Sequence, residues 1–490
     1  MPVLLVAAAL AVLSVMAVVF VHQHGWTLYY GDAEAHLDIA RRIIDSRTPG
    51  YDQIGTVWLP LPHALMLPFV THDALWRSGL AGAIPSAICF VLAGTLLFAA
   101  ARGVFDSIPA ALAALAVFAL NPNLLYLQSA PMTESVFFLG LLGLLYSMAA
   151  FRNKQSWKPV VGAGAASLVA SLTRYEGWFL IPFTAAFFLF SGKRKPLLTA
   201  CVFGMIASLA PLYWLAHNAW YFGDALAFYR GPYSPQAIQG TAAYPGDRDW
   251  AKALLYYRSA AQLCVGFGPI IAGAIGLLAA VRSRIWWPLP FLALTPAFYL
   301  WSIHSSGGTP ISVPQLWPNS YYNTRYGLSV LPLIAFCAGA AVLLAPVRGR
   351  ALAACAIAAT IGLAPLPPIC WKESEVNSQA RRQWTHQAAQ FFTAHYTRGA
   401  GIFSALGDLA GIYREAGIPL REVLHDGNNP EWDAAIARPD LFLHEQWAVA
   451  MAGDKVASAI LKASRTGPHY ERVETIVVKD APVIEIYRRI

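Results

Sequence analysis

Long apolar runs separated by short polar breaks set the pattern of this chain. Runs such as 81–101 and 196–216 ("PLLTACVFGMIASLAPLYWLA") exceed what a core helix of a soluble domain needs, and about 20 such residues cross the hydrocarbon core of a bilayer. The pattern predicts eleven spans, near 3–21, 81–101, 108–122, 134–151, 159–173, 178–191, 197–217, 263–281, 286–303, 327–346 and 351–368, the third and fifth being short. The first run lacks a basic leader and is read as an uncleaved span.

The breaks sort by charge. Arg102, then Arg152, Lys154 and Lys158, then Lys193, Arg194 and Lys195, then Arg282 and Arg284, then Arg348 and Arg350 alternate with acid-bearing loops. Lys and Arg near span ends are retained on the cytoplasmic side. The N-terminus is therefore expected inside, and residues after 370 outside. The outer loops are 22–80, 123–133, 174–177, 218–262 and 304–326; Asp106 is the main acid left on the inner side.

Composition agrees. Of 490 residues 57% are hydrophobic and 13% charged, with a mean hydropathy of +0.47; a soluble domain is about a quarter charged. The net charge of +8 resides in the inner loops, so it reports topology rather than a nucleic-acid partner. The six cysteines contain no CxxC pair, and read as apolar packing residues rather than disulfides or a metal site.

The expected architecture is a polytopic α-helical membrane domain over 1–370, with large outer loops, followed by a soluble α/β domain over 371–490. In that tail "GIFSAL", "REVLHD", "DLFLHE", "ERVETIVV" and "PVIEIY" read as strands, and 373–395 and 455–464 as helices. Residues 32–46 read as an amphipathic helix with Asp32 near its N-cap, where a carboxylate accepts backbone N–H bonds. The following "GTVWLPLPHALMLPF" is broken by Pro60, Pro62 and Pro68. It is expected to lie in the membrane interface, with Trp58 and Trp76 as anchors.

Chemistry gathers at the outer face. "YYGDAEAHLDIARRI" supplies Asp32, Glu34 and His36; "WLPLPH" ends on His63; "TES" places Glu134 at the start of a span; "LTRYEGW" puts Arg174 and Glu176 in a tight turn; "NTRYG" brings Asn323, Arg325 and Tyr326 to the start of the tenth span. Taken singly, each is a cap, an anchor or a solvated face. Together, carboxylates and arginines at one boundary suit an anionic head on a lipid tail, because a guanidinium matches phosphate oxygens and a carboxylate can accept a hydroxyl proton.

These segments, in this order and sidedness, resemble the GT-C membrane glycosyltransferases. The likeness is to glycosyltransferase family 39 and its bacterial relatives, the protein O-mannosyltransferases and aminoarabinose transferases, and it covers about 1–370. The resemblance implies an inverting transfer of a sugar from a polyprenyl-phosphate carrier to an acceptor hydroxyl on the outer, periplasmic face of a bacterial inner membrane. It implies Asp32 as general base and Glu134 as the second acid. Arg325, then Arg174, hold the carrier phosphate beside Tyr326, with Glu34, His36, His63, Glu176 and Asn323 in support. No cofactor is implied. An Asp32/His36 pair one helical turn apart is the only candidate for a divalent metal, and it lacks a third ligand. The family's paired Asp-Glu is here split by Ala33, so Glu34 is expected to point away. The acceptor, whether lipid, glycan or protein, is not legible. Two other classes remain open: a transporter or flippase of lipid-linked sugars, against which the one-sided placement of charge argues, and a non-catalytic scaffold acting through its tail. A pyrophosphate-linked oligosaccharide transferase is the nearer alternative, separable by metal dependence.

Overall fold

The computed structural model describes residues 2–305, 309–364 and 366–490. Residues 306–308 of the outer loop 304–326, and residue 365 in the eleventh expected span, lie outside the described residues. The molecule is a polytopic α-helical membrane protein with a small C-terminal sheet. Each of the eleven expected spans overlaps helical structure, although the eleventh leaves it after Leu363. Five helical stretches are long and apolar enough to cross a membrane alone: Pro2–Gln23, Leu80–Phe105, Glu134–Lys154, Pro196–Phe222 and Thr324–Leu344. A sixth candidate is the pair Trp250–Val265 and Phe267–Arg282, which is bent by 106°. On Pro2–Gln23 the side chains of Leu4, Leu5 and Met16 are exposed, an apolar surface of the kind a bilayer covers.

By contact density the chain divides into two units. The first comprises Met1–Trp26, Thr56–Pro62 and Ala83–Glu373; the second comprises Thr27–Gly55, His63–Gly82 and Ser374–Ile490. The sequence grouped the whole loop 22–80 with the membrane region, whereas most of its residues pack with the C-terminal ones.

In the first unit, the stretch 218–262 is not all loop. Its last part is the helix Trp250–Val265, started by Asp249, whose carboxylate accepts from the Lys252 N–H at 3.0 Å. Tyr256, Tyr257, Ala260 and Ala261 form its buried face, packed with Tyr299, Ile303, Ile311 and Val313. The Tyr257 hydroxyl lies 2.7 Å from Ser329 Oγ. Gly327 makes this packing possible: a Cβ there would stand 2.4 Å from the Ala260 carbonyl carbon.

The second unit is built on a five-stranded sheet of β1 (Ile402–Phe403), β2 (Val423–Leu424), β3 (Trp447–Met451), β4 (Tyr470–Ile476) and β5 (Ile484–Arg489), in the order β2-β1-β3-β5-β4. β1 pairs parallel with β2 and β3; β5 pairs antiparallel with β3 and β4. Alternate side chains supply two cores, as the period of two requires. Ile402, Val423, Trp447, Val449, Ile484 and Ile486 face Trp384, Phe392 and Tyr413 together with Leu37, Met66 and Val70. Phe403, Leu424, Ala448, Ala450 and Tyr487 face Val456, Ile460 and Trp432.

Two expectations are corrected. "DLFLHE" is not a strand: Pro439 opens a short helix, Pro439–Phe442, as proline at a first helical position does. The central strand is Trp447–Met451, whose unbroken apolar run shows no alternation because its two faces cover both cores. Trp76 is not an interfacial anchor. It is 2% exposed within the first of these cores, its indole donates to Asp38 Oδ1 at 3.3 Å, and the Arg41 guanidinium sits 4.5 Å from its ring.

Candidate active site

In the membrane unit three helix ends bring charge together. Glu134 starts the helix Glu134–Lys154, Glu176 starts Glu176–Ser191, and Arg174 occupies the turn after Trp157–Ser171. Small residues allow this approach. At Gly177 an added Cβ would lie 2.5 Å from the backbone of Ala170 and Ser171, so a larger residue would push the Glu176 helix end away from the turn. The turn is further held by the Tyr175 hydroxyl, which donates to the Val57 carbonyl at 2.7 Å and accepts from Trp214 Nε1 at 3.1 Å.

Arg174 is the hub. Its Nε donates to Glu176 Oε1 at 2.7 Å, Nη1 to Thr133 Oγ1 at 2.7 Å and to Glu134 Oε1 at 3.4 Å, and Nη2 to the Tyr299 hydroxyl at 2.5 Å. Tyr299 in turn donates to Glu176 Oε1. Arg325 approaches from the segment Thr324–Val330, its Nε 3.3 Å from Glu134 Oε1. The Tyr326 ring lies 4.7 Å from the Tyr299 ring, tilted by 31°, and under both guanidiniums, 5.4 Å from Arg174 and 5.1 Å from Arg325. These groups line one pocket.

Glu134 carries the imbalance. Its Oε1 serves two arginines, while Oε2 is buried and has no hydrogen-bond partner among the described residues. A buried acceptor left unmatched costs about 1–3 kcal/mol, a cost that a ligand donor would remove. Asn323 stands apart, with φ +53° and its amide donating to the Pro310 carbonyl at 3.1 Å; it shapes the entry to the Arg325 segment. Tyr299 was missed by sequence reasoning, since a tyrosine inside an apolar run ("LTPAFYLWS") gives no sign of which polar groups it meets.

The other expected residues belong to the second unit. Asp32 is half-buried in the first turn of the helix Gly31–Arg42, whose N-cap is Tyr30. Glu34 does not point away. It is buried, with Oε1 2.7 Å from Arg414 Nη2 and Oε2 3.3 Å from Arg381 Nε. Burial alone would raise its pKa, but the charges of Arg414 and Arg381 hold it below the ordinary carboxylate value. Arg381 also donates to the carbonyls of Leu28 and Tyr29. Asp38, one turn on, is pushed up to about 7 by burial and by the charge of Glu34. His36 Nδ1 lies 2.9 Å from His63 Nε2, both rings buried. Among the described residues no group of three or more His, Cys, Asp or Glu is placed to hold a metal ion.

A further polar set joins residues of the first loop to the tail. His425 Nδ1 accepts from the Gly427 N–H at 3.0 Å, so Nε2 carries the proton and donates to Ser46 Oγ at 3.2 Å. Asn428 donates to Ser46 and Thr48. Burial and the Arg42 charge push His425 down to about 3. This imidazole cannot take a proton from Ser46 in that tautomer; the set fastens the loop.

Residues 70–214, which contain Glu134, Arg174 and Glu176, match the family described as dolichyl-phosphate-mannose-protein mannosyltransferase. Among solved structures the chain is similar to ArnT from Cupriavidus metallidurans bound to undecaprenyl phosphate, with 13% identity, a TM-score of 0.59, and coverage of 96% of this chain and 97% of that one. It is similar also to the same protein in the apo state, with 14% identity, a TM-score of 0.55 and the same coverage. No curated protein sequence matches the chain. The chain therefore has the fold of the GT-C membrane glycosyltransferases, and over residues 70–214 the sequence pattern of the mannosyltransferases among them.

Proposed function

We propose that this protein transfers a sugar from a polyprenyl-phosphate carrier to an acceptor hydroxyl at the outer face of a bacterial inner membrane. The observation that carries the reading is the buried Glu134–Arg174–Glu176–Arg325 cluster of the membrane unit, with its unmatched Glu134 oxygen. The fold shared with ArnT, whose crystal structure is bound to undecaprenyl phosphate, supports the carrier class.

The reaction is a single displacement. The acceptor oxygen attacks the anomeric carbon and gives its proton to Asp32, the base that the family resemblance implies. The bond from the anomeric carbon to the phosphate oxygen breaks, and polyprenyl phosphate leaves with the electron pair, inverting the anomeric configuration. The leaving phosphate gains charge, which a fixed guanidinium stabilises more than it stabilises the ground state. Arg325 takes that role. Arg174, already engaged by Thr133, Glu176 and Tyr299, is a positioning residue that holds Glu134 and Tyr326 around Arg325. The scheme requires no cofactor.

The test uses purified full chain in lipid with a panel of radiolabelled polyprenyl-phosphate sugars, measuring donor binding and turnover. One donor should bind both wild type and Asp32→Asn, and turn over only in wild type. Turnover that ignores Asp32, or a panel that does not bind, sinks the transferase reading and favours lipid-linked sugar transport. Loss of turnover on chelation would point to the pyrophosphate-linked class instead.

A further inference from the structure

The end of the Glu134–Lys154 helix opposite Glu134 borders a second cavity. Twenty-one residues at about 1.5 Å each span about 30 Å, the thickness of the hydrocarbon core. The cavity therefore lies at the other membrane boundary. Its volume is about 280 Å³, and it is lined by Phe151, Gln155, Trp157, Arg194, Lys195 and Thr199 among others.

Its lining is mixed, polar at Gln155, Ser156 and Thr199 and apolar at Phe151, Trp157 and Val160. Gln155 stitches two helical hairpins together, accepting from the Lys193 N–H at 2.9 Å and donating to the Ser191 and Phe151 carbonyls at 3.1 and 3.2 Å. The helices Trp157–Ser171 and Pro196–Phe222 both start here, and neither N-cap side chain bonds its own helix. The first leaves its opening N–H groups to other partners, and the second opens on Pro196, which has no N–H, so what both present is a positive dipole end. Arg194 and Lys195 have no ion-pair partner among the described residues. No Asp or Glu occurs between Glu134 and Glu176, or between Glu176 and Asp224, so no carboxylate from these hairpins neutralises them. By contrast, Arg174 and Arg325 of the same unit are both ion-paired. Around the cavity Phe190, Leu197 and Val161 are exposed, as is the Trp157 ring.

Retention of basic residues on the inner side explains why lysine and arginine occur here. It does not explain a cavity that sets Phe151, Trp157 and Val160 beside two uncapped helix starts and two unneutralised cations. We propose that this cavity binds the phosphate headgroup of an anionic glycerophospholipid, with Arg194, Lys195 and the two helix N-termini on the phosphate and the acyl chains along Phe190, Leu197 and Val161. The site is separate from the proposed transfer chemistry and does not rest on it.

The test is native mass spectrometry of the purified full chain offered phosphatidylglycerol or phosphatidylcholine of equal chain length. Wild type should retain the anionic lipid preferentially. The double variant Arg194→Gln/Lys195→Gln should lose about 30-fold of that preference, given the usual contribution of two basic residues at an anionic membrane surface. Arg348→Gln/Arg350→Gln removes the same charge from another inner loop and should keep the preference. Thermal unfolding should be unchanged in both, since all four side chains lie on short surface turns or helix starts. Equal loss in both double variants, or persistence in the first, overturns the site. Displacement of the lipid by excess inorganic phosphate shows an anion site without lipid recognition, and overturns it too.

Discussion

The two units each bury a cluster of carboxylates and arginines, and the clusters are partnered differently. In the second unit both Glu34 oxygens are used, one on Arg414 and one on Arg381, and Arg381 is further committed to the carbonyls of Leu28 and Tyr29. In the membrane unit Glu134 offers one oxygen to two arginines and leaves the other unmatched in a pocket shared with Arg325, Tyr326 and Tyr299. Arg414 Nε and Asp38 Oδ2 of the second unit are buried without a hydrogen-bond partner among the described residues, but each Glu34 oxygen has its own cation, and charges paired in this way fasten elements. In the proposed function the spare Glu134 oxygen is instead kept for a ligand. On that reading the same residue types give a clasp in one unit and a receptor in the other.

The largest effects should separate these roles by readout. Asp32→Asn should lower turnover by about 10²–10⁴-fold, the usual loss with a general base, while donor binding and thermal unfolding stay near wild type. Arg325→Ala should cost about 10²–10³-fold in kcat, the range seen when a preorganised donor to developing charge is removed. A fall in stability without that kinetic loss would place Arg325 among the fasteners.

Glu34→Ala should act the other way. It strands two buried guanidiniums, and breaking a buried pair costs about 3–5 kcal/mol. The second unit should melt earlier, as followed by hydrogen exchange of β1 and β3, while the donor still binds. A variant with normal exchange and no turnover would make Glu34 a chemical participant after all.

Gly327→Ala is a smaller probe of how Arg325 is carried. The new methyl group meets the Ala260 backbone at 2.4 Å, and overpacking of this kind costs about 1–3 kcal/mol. Donor affinity should fall as Arg325 is displaced, with the second unit's exchange rates untouched.

The mildest effect is a pH slope. Asp38 has its folded value raised to about 7 from 3.8 by burial and Glu34, against the opposing pull of Arg414, Trp76 and Arg42. Its contribution to stability is therefore fully present below about pH 4 and declines as pH rises through about 7. Asp38→Asn should flatten that decline in a urea-unfolding series across pH 4–8; an unchanged slope would assign the titration to another group.

The membrane class was readable because it follows from a property summed over long windows: apolar runs locate helices wherever they pack. Glu134, Arg174, Glu176 and Arg325 were legible as candidates because ionisable groups at span ends are costly and few. That they converge could not be read, since their sequence separations of tens to hundreds of residues carry no distance. Tyr299 was invisible, lying in an apolar stretch whose period gives no account of its hydroxyl. β3 was hidden because a strand covered on both faces loses the alternation by which strands are recognised.

The sequence by itself determined that this chain crosses membranes, where its helices lie and which residues carry charge at their ends. These are consequences of local composition, and hydrophobicity is paid in full by each segment separately. Tertiary structure decided the rest. It made Glu34 a clasp rather than a solvated acid, drew Trp76 into a core, gave most of the first outer loop to the second unit, and left one oxygen of Glu134 open. Each of those outcomes depends on which distant groups satisfy a buried polar atom, and that is settled only when the chain has closed around it.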